Sequence, residues 1–110
     1  MIEKTISEIE GRLRGLGTLD DARKQELLDL LGKLKAEAGA LERTHGQQAQ
    51  SIADSLSAST QAATSGDKSP ESVESSVAGL RSSVEGFEQS HPKLVHVVNS
   101  LSNMLSNLGI

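Results

Sequence analysis

Between Val73 and Leu108 the apolar side chains recur at steps of four and three. The series is Val73, Val77, Leu80, Val84, Phe87, His91, Leu94, Val98, Leu101, Leu105, Leu108, with His91 its one polar member. This heptad spacing predicts a helix over about 70–108, packed along a seam. Pro92 falls inside it and predicts a kink or a restart at that point. Because the phase is kept across the proline, the axis is expected to change direction only modestly. Ile2, Ile6, Ile9, Leu13 and Leu16 step the same way and predict a short helix over about 2–15, ended by Gly15 and Gly17. Asp20 or Asp21 can cap a second helix, whose seam is Leu27, Leu31, Leu34, Ala38 and Leu41.

After His45 the second helix loses contrast. Residues 45–66 are mostly small and polar, and only Ala49, Ile52, Leu56 and Ala63 keep a weak period. The expectation is a continuation of helix 2 over about 20–64, weak after 45; a flexible Ser/Ala/Gln linker is the alternative. A turn is expected at Gly66-Asp67-Lys68. Ser69 and Pro70 then read as the cap and first residue of helix 3.

Two long arms joined by a short turn are antiparallel neighbours, so facing residues would have numbers adding to about 134–136. That register sets His45 near His91 and Gly46 near Pro92. The predicted fold is a single all-α domain over 1–110: an elongated antiparallel helical hairpin, or coiled-coil-like bundle, with a short N-terminal helix. The end carrying Ile52, Leu56, Val73 and Leu80 would have two helices only, which invites a second copy. Candidate packing and interaction residues are Val73, Val77, Leu80, Val84, Phe87, His91, Pro92, Leu94, Val98 and Leu101.

Composition narrows the chemistry. Phe87 is the one aromatic residue, there is no cysteine, and the net charge is -4. Disulfides, thiolate metal sites and cysteine nucleophiles are excluded, and nucleic acid, which needs a concentrated basic surface, is disfavoured. Residues 94–110 hold no charged side chain, but His, Asn and Ser make them too polar for a membrane span. The charge-interrupted N-terminus is not a signal peptide, so a cytoplasmic location is expected. His91 and His96 lie about 140° apart on a helix, and His45 beside His91 without a carboxylate makes a poor metal site. Glu85 and Glu88 read as surface, and neither a GxSxG elbow nor a phosphate loop is present. No catalytic, cofactor or metal residue is expected, and the chain is not read as an enzyme. It is read as a non-enzymatic oligomerisation or protein-interaction module, a dimer being the favoured assembly and an unidentified protein a further partner. The alternative is an amphipathic coat for a membrane or hydrophobic inclusion.

Two segments carry a resemblance. SVEGFEQSHPKL at 83–94 and LSNLGI at 105–110 resemble a small bacterial family, domain-of-unknown-function family 4404. The shared positions are Phe87, Glu88, Ser90, His91, Pro92, Asn107, Gly109 and Ile110. The resemblance implies a short helical protein with no assigned activity. Read locally, the motif suggests Ser90 as the cap of a restarted helix with His91 and Pro92 in its first turn.

Overall fold

A computed structural model describes residues 2–15, 20–64 and 70–109. Leu16, the turn at Gly66–Lys68, the Ser69 cap and Ile110 lie outside these residues, and the Leu108 side chain is likewise not described.

Among the described residues five helices follow in order: α1 Ile2–Arg14, α2 Asp21–Thr44, α3 Gly46–Thr64, α4 Pro70–Ser82 and α5 Pro92–Gly109. α1 matches the span read from its isoleucine and leucine steps. α2 starts where its cap was expected: the Arg23 amide donates to Asp20 Oδ1 at 2.8 Å. All described elements are helical, and they pack as a bundle.

The long-arm expectation is corrected at two places. Helix 2 does not run from 20 to 64. His45 leaves helical geometry, with φ -137° and ψ 61°, and separates α2 from α3. Helix 3 does not run from 70 to 108, nor does it merely kink at Pro92. It ends at Ser82, and residues 83–91 form a connection in which Gly86 takes φ 96°. That left-handed backbone is open to glycine at little cost. The cap of the restarted helix is also shifted: α5 begins at Pro92, so His91, not Ser90, occupies the N-cap position. Proline at the first helical position loses no hydrogen bond.

The antiparallel register survives both breaks. Ser59 Oγ on α3 donates to the Ser76 carbonyl on α4 at 2.9 Å, and the rings of His45 and His91 lie 6.4 Å apart. Both pairs fall on the expected register. The molecule is therefore the expected hairpin folded in half at its middle. A straight 39-residue arm would be about 58 Å long at 1.5 Å per residue; the folded chain measures 37 × 25 × 21 Å.

α2 and α3 form the middle layer. α1 lies across both from one side, antiparallel to α2, with the Ile2 amide donating to Glu42 Oε2 at 3.4 Å and Lys35 Nζ to Glu10 Oε1 at 2.9 Å. On the other side α5 packs on α2 and α3, and α4 packs on α3 and α5. α3 thus touches all four other helices. One core runs through the layers, from Ile6 and Leu13 through Leu31, Leu34 and Leu56 to Leu80, Leu94 and Leu101.

The polar composition of α3 is compatible with this central place because its hydroxyls are satisfied locally. Ser59 and Thr60 are buried, and donate to the Ser55 and Leu56 carbonyls at 2.8 and 2.9 Å. Such back-bonding to the preceding turn removes the desolvation cost of a lone hydroxyl. Among the described residues no buried side-chain nitrogen or oxygen lacks a partner.

Candidate interaction surface

The ten residues singled out from the heptad fall into three groups. Val73, Val77, Leu80, Val84, Leu94, Val98 and Leu101 are buried within the one chain. They are packing residues here, and the two-helix end that was to expose some of them is closed by the fold. Val73 and Leu80 on α4, with Ile52 and Leu56 on α3, are each at most 1% exposed. Phe87 and His91 are half-buried in the connection, and Pro92 is exposed at the head of α5.

Phe87 and His91 meet His45 at the folded end. The ring centroids of His45 and Phe87 are 5.5 Å apart, those of Phe87 and His91 5.8 Å, and all three contacts are edge-on. Edge-to-face geometry sets a ring's positive rim against its neighbour's negative face. The cluster joins the two breaks: His45 stands at the α2–α3 break, Phe87 and His91 in the α4–α5 connection. Thr44 Oγ1 and His45 Nδ1 are hydrogen-bonded at 2.9 Å, and the Gly86 amide donates to Glu88 Oε2 at 2.9 Å, which holds the glycine turn. Among the described residues no group of three or more His, Asp or Glu is placed to hold a metal ion. Phe87, Glu88, His91 and Pro92 shape this turn and the start of α5.

Pro92 leads into a different feature. α2 and α5 run antiparallel on the outside of the bundle and leave a groove between them. At one end it is lined by Lys33, Glu37, Pro92, Lys93, His96 and Val97. At the other it is lined by Glu26, Asp29, Leu30, Lys33, Ser100, Asn103 and Met104. Lys33 lines both, so the two hollows adjoin and together extend over about three helical turns of α2. Leu30 and Met104, both half-buried, are its apolar members together with Val97 and Pro92. Its rims carry charges of both signs. A second hollow on α2, lined by Glu3, Gly32, Ala36, Gly39, Ala40 and Arg43 among others, has no large apolar side chain.

Sequence reasoning missed the groove because its stripes on α2 and α5 are mostly polar, with Leu30 the one apolar side chain beside Glu26, Asp29, Lys33 and Glu37 on α2. Leu30 lies off the leucine seam of helix 2. The signal that could have found the groove is the pair of apolar residues off the seams, Leu30 and Met104, on two arms known to be antiparallel. No described helix is long and apolar enough to cross a membrane.

No curated protein and no solved structure matches the chain. The model of a domain of unknown function, DUF4404, matches residues 24–110. That span takes in everything from the first turn of α2 to the C-terminus, and the chain belongs to that family.

Proposed function

We propose that this protein is a non-enzymatic cytoplasmic module that binds the helix of a partner protein in the groove between α2 and α5. The observation that carries the reading is the half-buried pair Leu30 and Met104, which pack against the edge of the core and line the groove between charged residues. A groove of this form suits an amphipathic helix whose apolar residues recur over three turns. Its charged rims, with Glu26, Asp29 and Glu37 against Lys33 and Lys93, would fix the partner's direction more than its affinity. The inward-facing seams support this reading over an amphipathic coat. The leucines and valines a coat would lay on a surface are already used in packing one chain.

A photo-crosslinking amino acid at Met104, installed in cells of the source organism, tests it. The expected result is a discrete crosslinked product that Leu30→Glu removes while circular dichroism stays that of the wild type. The same probe at the exposed Glu74 on α4 should give no such product. Equal crosslinking at both positions, or none at Met104, would contradict the reading.

A further inference from the structure

The two breaks that fold the hairpin in half are small and lie opposite each other. At His45 helical bonding runs up to and on from the break: its amide donates to the Leu41 carbonyl at 2.7 Å, and its carbonyl accepts from Ala49 at 2.9 Å. In the other arm the His91 amide donates to Phe87 at 2.8 Å, and the His91 carbonyl accepts from Val95 at 3.2 Å. The heptad phase also runs unbroken from Val84 through Phe87 and His91 to Leu94. The ring cluster of His45, Phe87 and His91 holds the breaks at one level. Rotation at His45 and around Gly86 would therefore straighten both arms together, leaving the α2–α5 and α3–α4 pairings intact.

Opening uncovers the contacts made across the fold, those of α1, α2 and α5 with α3 and of α4 with α5. The surface that covers them in the closed chain is another part of the same sequence, so a second opened copy supplies an identical match. We propose that the protein exchanges halves with a second copy, forming a dimer of two straightened hairpins in which each cross-fold contact is made between chains. The single-residue break at His45 leaves little slack for closure within one chain, which favours exchange once the arms straighten. Gly86 and Pro92 hold the balance toward the closed form: one stands at a backbone angle that a helix does not use, the other at a position where a continuous helix would lose a hydrogen bond. This dimer does not depend on what the α2–α5 groove binds.

The chain has no cysteine, so a probe pair is specific. Arg81 Nη2 donates to Asn103 Oδ1 at 2.7 Å across the fold, and both residues are exposed. Arg81→Cys with Asn103→Cys, treated with a short bis-maleimide, reports whether that contact lies within one chain or between two. The full-length chain is refolded at millimolar concentration, sized by light scattering, crosslinked and denatured. The expected dimer fraction yields covalent dimers, while the monomer fraction yields internally linked chains. Adding Gly86→Ala and Pro92→Ala should raise the dimerisation constant roughly a hundredfold or more, since a helix-interior proline alone is worth about that factor. Inserting a Gly-Ser linker after Ser90 should abolish dimerisation. A dimer whose crosslinks stay within each chain would overturn the proposal. So would a Gly86→Ala/Pro92→Ala chain that is helical by circular dichroism and monomeric at millimolar concentration.

Discussion

α2 and α3 are adjoining halves of one arm, and they reach burial by opposite means. α2 presents four leucines, Leu27, Leu31, Leu34 and Leu41, on one stripe and turns its charged residues outward. α3 has no charge but Asp54, and its buried face mixes Ile52 and Leu56 with Ala49, Ala53, Ser59, Thr60 and Ala63. The leucine-rich helix packs on three neighbours and the small-residue helix on four. Small side chains let helix backbones approach closely, which is why a Ser59 hydroxyl can reach the Ser76 main-chain carbonyl. The strength of a hydrophobic stripe marks that a helix is amphipathic. How many partners it has depends also on how near they can come.

The comparison breaks if α3 is not part of the core, and truncation is the largest effect. Leu31→Ala and Leu56→Ala should each cost about 3 kcal/mol, because both side chains are fully buried and leave cavities. Against a total stability of about 5–15 kcal/mol either change is severe. Urea denaturation measures both. A linker-like α3 would show a loss under about 0.5 kcal/mol for Leu56→Ala alone.

Enlargement sharpens the contrast. Ala53→Leu should cost about 2 kcal/mol through overpacking where α3 meets its neighbours. Ala40→Leu, on the exposed side of α2, should stay within about 0.5 kcal/mol. Equal effects in thermal melts would contradict close packing at α3.

The smallest effect is at Ser59. Ser59→Ala removes the hydroxyl that links α3 to α4 but leaves both carbonyls with other bonding capacity, so a loss of about 1 kcal/mol is expected. Ser102→Ala, which removes a buried hydroxyl that donates to the Val98 carbonyl of its own helix at 2.8 Å, is the control and should cost less.

Much of this architecture can be read from side-chain spacing: α1, the Asp20 cap, the leucine seam of α2, the antiparallel register and the meeting of His45 with His91. The fold at the middle was hidden, for a physical reason. A heptad series records which side chains are buried, and a bent arm buries the same stripe in both halves. Val84 and Leu94 keep phase although the chain reverses between them. The one local sign was Gly86, which a helix tolerates. Pro92 has two meanings, kink or first helical residue, and the series cannot choose between them. At His45 the following glycine was the only cue. The Ser- and Ala-rich α3 read as thin because hydroxyls that bond the preceding turn count as polar in a sequence while behaving as packing groups in the core. The groove of Leu30 and Met104 depends on two helices at once and is invisible in either alone.

The central claim is that the hairpin is folded in half. Small-angle X-ray scattering at a dilution where light scattering gives the monomer mass tests it most directly. The folded chain has a Cα radius of gyration of 12.9 Å, close to the roughly 13 Å of a compact domain of this length. Scattering should therefore give about 13–15 Å once the hydration layer is included, on that same compact scaling. A straight hairpin about 58 Å long would give roughly 18 Å, and that value from a monomer would contradict the account.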